Sequence, residues 1–175
     1  MAKAVLISIR PEWVEKILRG EKTLEVRKTR PRLETPFKVY IYCTNPENII
    51  LWNARSYIYA DDHSHNAFDG CWNGSVVGEF VCDRIETINP ATEPYGTYDV
   101  DDDFVAETRL VNGALWDYGK GATLYGWHIS KLKIYDTPKR LGEFRGARKT
   151  KFGYAPVEIK RPPQSWCYVE ELDNG

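Results

Sequence analysis

Long apolar runs are missing from this 175-residue sequence. A membrane-spanning helix needs about 18 to 20 of them in succession, so no membrane partner is expected. The opening MAKAVLISIRPEW brings a charge in early and lacks the basic, apolar and small-residue succession of a secretory signal. Cysteine is sparse: Cys43, Cys71, Cys82 and Cys167 are scattered, form no CxxC pair and make no disulfide framework. These absences point to a reducing, cytoplasmic setting. No glycine-rich phosphate fingerprint follows a strand, no nucleophile-elbow context surrounds the Ser, Cys or His residues, and no internal repeat is visible. His63, His65 and Cys71, with Asp61 and Asp62 near them, fall in one polar loop at a spacing no standard zinc finger uses. No metal and no cofactor is expected.

What is present is a hydrophobic fraction of 42%, enough for one core in a chain of this length. A single domain over residues 1–175 is expected, with insertions at about 45–73 and 90–120. The net charge of −1 is unevenly spread. Residues 1–40 carry ten basic and five acidic side chains, 41–117 carry three and fourteen, and 118–175 carry eleven and six. If the two ends of the chain meet, they make a basic surface while the middle makes an acidic one, and a polyanion responds to that local field rather than to the sum. The same excesses also suit plain solvated faces.

Periodicity predicts the elements. Lys3 to Ile9 alternates as a strand. A helix follows from Pro11, with acids Glu12 and Glu15 early, Lys16 and Arg19 late, Gly20 as its stop, and a buried stripe of Trp13, Val14, Ile17 and Leu18. Thr23 to Lys28 reads as a short strand, and Phe37 to Cys43 as another. Asn45 to Asn73 is aromatic, polar and aperiodic, a long insertion that is partly helical or irregular. Ser75 to Asp83 returns to strand character, with Gly78 marking a bulge or a close backbone approach. A helical piece is expected around Asp101 to Leu110, and final strands at Tyr125 to Ile134 and Ser165 to Glu171. Five or six strands with one early helix suit an α+β, mainly β, small mixed barrel better than a βαβ repeat.

The richest stretch is GEKTLEVRK, Gly20 to Lys28. In a strand Thr23, Glu25 and Arg27 point one way while Leu24 and Val26 point into the core. Lys22, in the turn, leans toward Glu25 and Arg27. A carboxylate between two cations stays ionised and fixes both heads, an array suited to a phosphate or a base edge. The same spacing also describes a surface ion-pair ladder of little consequence.

Taken together, a strand, Ser8-Ile9-Arg10-Pro11 leading a helix, Gly20, Lys22, Glu25 and Arg27 as G-x-K-x-x-E-x-R, and an alternating strand resemble the ASCH family. GEFVCDRI around Gly78 and Glu79, YGWHIS at Tyr125 to Ser130, and SWCYVEEL near the end are similar to later strands of small stand-alone bacterial and phage members. The resemblance implies a PUA-like mixed β-barrel with a helix after the first strand, and a cleft lined by the Lys, Glu and Arg of the motif. It also implies RNA, or a modified nucleoside or nucleotide, as partner. Some small members are amidohydrolases of acetylated cytidine or ribonucleases. The amidohydrolase pattern uses a Lys, a Thr three residues later and a distant Glu. Lys22 and Glu79 match, but Glu25 stands at the Thr position, and a carboxylate beside two cations is a weak nucleophile.

The expected roles follow. Arg10, Lys22 and Arg27 take phosphate or base oxygens, Glu25 orders them, Trp127 stacks a base or sits in the core, and Ser130 lies near the cleft. In the competing enzymatic reading, Lys22 and Glu79 are the acid/base pair of a hydrolase acting on a modified nucleoside or RNA. Glu79 alternates with Val77 and Val81; on a core face its carboxylate needs a partner, and on a solvent face it signifies nothing. A third reading makes the acidic, aromatic middle, with Trp52, Trp72 and Asp101 to Asp103, a protein-docking surface.

Overall fold

β1 (Lys3–Ile9) is buried on both faces, because strands flank it on each side and side chains cover it above and below. The computed structural model describes residues 3–46, 49–52, 56–59 and 70–172. The zinc-spacing candidates Asp61, Asp62, His63 and His65 lie outside them. From β1 the chain enters α1 (Pro11–Leu18), with Pro11 at the first helical position, where a missing N–H costs nothing. Gly20, at φ 74°, makes the left-handed turn that releases the chain into β2 (Leu24–Arg27). β3 (Phe37–Cys43) then pairs parallel with β1, with α1 and β2 inside the crossover.

The insertion expected at 45–73 contains a hairpin of β4 (Ile49–Trp52) and β5 (Ser56–Tyr59). β6 (Val76–Cys82) and β7 (Ile85–Ile88) follow. α2 (Asp102–Thr108) is capped by Asp101, whose carboxylate accepts from the Phe104 amide at 2.8 Å, as its acidic start suggested. α3 (Asn112–Gly119), β8 (Leu124–His128), β9 (Ser130–Lys139), β10 (Arg145–Thr150), β11 (Gly153–Glu158) and β12 (Trp166–Glu170) complete the order.

A seven-stranded sheet runs β11-β10-β12-β1-β3-β6-β9, and a three-stranded sheet runs β2-β8-β7. One face of the large sheet, with Val5, Ile7, Val39 and Ile41, packs on Val14, Ile17 and Leu18 of α1. The other face gathers Ala4, Leu6, Tyr40, Tyr135 and Phe144. A third cluster joins Leu24, Val26 and Leu124 of the small sheet to Phe104 of α2 and Leu115 of α3. The α+β, mainly β class holds. The closed barrel does not: among the described residues the two sheets share the corner at Asp83–Arg84 and Ile129 but remain separate ladders. At the far edge, β2 makes no ladder with β1. The Arg27 guanidinium crosses the gap instead and donates to the Ser8 carbonyl at 2.8 Å.

Two glycines fix close approaches. A Cβ on Gly78 would lie 2.6 Å from the Lys133 carbonyl oxygen, so β6 and β9 meet at a spacing only glycine allows. A Cβ on Gly119 would overlap the ring of Tyr98, whose hydroxyl donates to the Ala122 carbonyl at 2.7 Å and pins the end of α3. No helix among the described residues is long and apolar enough to cross a membrane.

Candidate functional site

Lys22 follows the Gly20 turn, and its side chain is 2% exposed. Its Nζ donates to the Thr108 carbonyl at 2.7 Å, satisfying an acceptor in the last turn of α2. It also lies 3.3 Å from Glu25 Oε2 and 5.3 Å from the centre of the Trp13 ring. The other Glu25 oxygen forms an ion pair with Arg27 Nη2 at 2.9 Å. Arg27 Nη1 reaches Ser165 Oγ at 3.4 Å. Glu25 and Arg27, like Lys22, are buried. The spacing expectation of one carboxylate between two cations therefore holds, but as a buried array rather than a surface ladder.

Burial holds the Lys22 ammonium below its ordinary range; Glu25 opposes that shift and Arg27 adds to it. Arg27 Nε is buried and has no hydrogen-bond partner among the described residues, so the array retains an unused donor.

The array forms one wall of a pocket of about 450 Å³. Ser8, Ile9 and Arg10 line it at the end of β1, Trp13 from α1, Thr44 after β3, and Gln164 before β12. Leu110, Ala114 and Tyr118 line it as well. Arg10 sits at the rim, exposed, with its Nε on Glu12 Oε1 at 2.8 Å. Glu12 Oε2 is buried without a hydrogen-bond partner among the described residues.

Three expected residues are placed elsewhere. Trp127 is fully buried against Phe37 and Trp166, at ring separations of 6.1 and 5.8 Å, and does not line the pocket. Ser130 donates to the Val81 carbonyl at 2.8 Å, where β9 begins. Glu79 lies on the other face of the large sheet, opposite Tyr40 in register; it accepts from the Tyr135 hydroxyl at 2.5 Å and lies 3.6 Å from Lys38 Nζ. Lys22 and Glu79 are thus not neighbours.

The pocket's aromatic rings are Trp13, expected to be core, and Tyr118, from a segment the sequence left unplaced. The signal for the second was there: Leu110, Ala114 and Tyr118 recur at four-residue spacing, one face of a helix.

No family model matches the sequence, and no curated protein matches it in sequence. Solved structures do match in fold. A crystal structure of ASCH from Zymomonas mobilis covers 96% of this chain and 88% of its own, at 18% identity and a TM-score of 0.53. A point mutant of the same Zymomonas mobilis protein gives 96% and 91%, at 18% identity and a TM-score of 0.52. At that identity the likeness is one of fold, and the chain has the ASCH fold.

Proposed function

We propose that this protein binds RNA or a nucleotide in the pocket between β2, α1 and α3. The observation that carries the reading is the buried Lys22-Glu25-Arg27 array lining a pocket that two aromatic rings, Trp13 and Tyr118, also line. Its volume of about 450 Å³ falls in the small-molecule range of about 300 to 1,000 Å³. That space suits one base and its sugar. Lys22 and the free Arg27 Nε–H offer donors to phosphate or base oxygens, Glu25 holds both cations in place, Arg10 adds charge at the rim, and Trp13 and Tyr118 flank the base. Trp127 and Ser130 support this arrangement from behind rather than touching the ligand. The reading sets a single domain over 1–175 in a reducing cytoplasm, in keeping with four free cysteines.

The test is nucleotide affinity in Tyr118→Ala, at a position 38% exposed on the pocket wall. Loss of one stacking ring costs about 1 to 3 kcal/mol, a fall in affinity of roughly 5- to 150-fold. Unchanged affinity in the folded variant overturns the reading.

One observation favours a hydrolytic role in the same pocket: burial lowers Lys22, and a lowered lysine is more readily present as the free amine that can accept a proton. The adjacent carboxylate is Glu25, not Glu79. Incubation with modified nucleosides and short RNAs, read by mass spectrometry, separates the two readings. Product that disappears in Lys22→Met makes the protein an enzyme, and ligand retained intact makes it a binder.

A further inference from the structure

The pocket is one end of a longer basic band. After Arg27 the chain crosses the face of β12: the Trp166 indole donates to Thr29 Oγ1 at 2.9 Å, and the Arg32 amide donates to the Tyr168 hydroxyl at 2.8 Å. Lys28, Arg30 and Arg32 are exposed along this crossing. Lys28 Nζ lies 4.9 Å from the centre of the Tyr118 ring, so the band begins at the pocket wall.

On the far side of β12 stands the β10–β11 hairpin, attached through the Gly146–Val169 pair, with every residue of β11 exposed. Lys3 Nζ bridges the two, 4.2 Å from the Tyr154 ring and 5.9 Å from the Tyr168 ring. Because β10 runs antiparallel to β12, the hairpin turn is directed toward the end of the sheet where the pocket opens. Phe152, in that turn, is 89% exposed, and Lys151 Nζ lies 4.9 Å from its ring.

Charge along this path is one-sided. Lys3, residues 28–34, residues 145–161 and β12 carry ten basic side chains against Glu34, Glu158 and Glu170. Among the described residues no carboxylate pairs with Lys28, Arg30, Arg32 or Lys151. The expectation that the basic ends of the chain meet is realised here, where the first and last strands pair. Uncompensated cations beside exposed rings are the composition that tracks a single strand, with charge for phosphates and rings for bases.

We propose that the pocket takes one nucleotide of a single-stranded RNA, and that the flanking sugar-phosphate backbone lies along the band from Lys28–Arg32 to the β10–β11 hairpin. The inference rests on the nucleotide-binding reading of the pocket. A duplex does not fit it, because the bases of a duplex are stacked away from a pocket that admits one at a time. Lys28, Arg30, Arg32 and Lys151, exposed and without a carboxylate partner among the described residues, therefore meet about four phosphates at most.

The experiment measures affinities for a mononucleotide, a single-stranded tetranucleotide, an octanucleotide and a blunt RNA duplex, across a salt series. It compares the native protein with Arg32→Ala/Lys151→Ala, both exposed positions outside the pocket. The expected result is affinity that rises at least about tenfold from mononucleotide to tetranucleotide and levels off by the octanucleotide, with a salt slope near −3 from about 0.7 per phosphate contact. In the double variant that slope flattens by about 1.4, tetranucleotide affinity falls about tenfold, and mononucleotide affinity is unchanged.

Equal mononucleotide and tetranucleotide affinities in the native protein, an unchanged slope in the variant, or a duplex that binds as tightly as the single strand each overturns the proposal. If the mononucleotide binds and only the length dependence fails, the pocket reading survives without the band. If nothing binds, the pocket reading itself has failed.

Discussion

Glu25→Gln removes the charge that two buried cations share while keeping the shape of the side chain. Glu25 lies 3.3 Å from Lys22 Nζ and 2.9 Å from Arg27 Nη2, with side-chain exposures of 9%, 2% and 10% for the three residues. Breaking a pair this buried costs about 3 to 5 kcal/mol, because the partners remain as uncompensated charges. In a domain of this size that lowers Tm by roughly 6 to 20 °C, at about 2 to 4 °C per kcal/mol.

The loss depends on pH with a defined sign. Burial already holds folded Lys22 below its ordinary 10.5. As pH falls below 10.5 the unfolded chain takes up that proton more readily, so the Lys22 contribution disfavours folding increasingly until the folded pKa is reached, and is constant below it. Removing Glu25 takes away the attraction that opposes burial, lowers folded Lys22 further and extends that window downward. The gap between variant and native protein therefore narrows as pH rises toward 10.5, leaving the part due to Arg27. Urea unfolding across a pH series reads the gap directly. A gap under about 1 kcal/mol, or one constant across the series, refutes the buried array. Lys22→Met serves as the control: it leaves Glu25 held by Arg27 and orphans only the Thr108 carbonyl, a cost of about 1 to 3 kcal/mol. The double variant costs less than the sum of the two.

Gly78→Ala drives a methyl into the Lys133 backbone, and neither strand has a flexible side chain there to yield; a destabilisation of about 1 to 3 kcal/mol is expected from thermal melts, and a neutral change refutes the close approach. Tyr135→Phe removes the donor that holds Glu79, and burial followed by Glu79 pushes that phenol above its usual range. The cost is about 1 to 3 kcal/mol in stability, while nucleotide affinity stays unchanged because Glu79 lies on the face away from the pocket. Among the thiols, burial raises Cys43 above its usual range, Cys82 to about 12 and Cys167 to about 11. With iodoacetamide near neutral pH, mass mapping is expected to find half-buried Cys71 labelled first, and equally rapid labelling of Cys43 or Cys82 contradicts their burial.

The first forty residues were legible because their determinants are local: alternation in β1 and β3, Pro11 and Gly20 at the two ends of α1, and the three- and two-residue spacings that join Lys22, Glu25 and Arg27. What the sequence could not show is the depth of that array, because Lys22 is buried by a carbonyl 86 residues away. α3 escaped notice because Gly113 and Gly119 interrupt it and few of its residues are buried. The β10–β11 hairpin escaped because alternation marks a strand only when one face is covered, and β11 is covered on neither.

Glu79 shows where periodicity fails. Alternation assigns it the same face as Val77, and Val77 does pack among the residues beneath α1. But the ladder with β3 pairs Ile41 with Gly78 and Tyr42 with Val76, leaving Val77 as an extra residue. An extra residue reverses the faces of everything beyond it, so Glu79 turns toward Tyr40 and Tyr135 instead. Gly78 had already marked this strand for a bulge. Lys22 was joined to Glu79 by the resemblance, which fixes no face across this bulge, whereas Glu25, on the unbroken four-residue strand directly after the Lys22 turn, is placed by local spacing alone. The carboxylate that can act with Lys22 is Glu25, so the chemistry of this pocket is that of one anion shared by two cations.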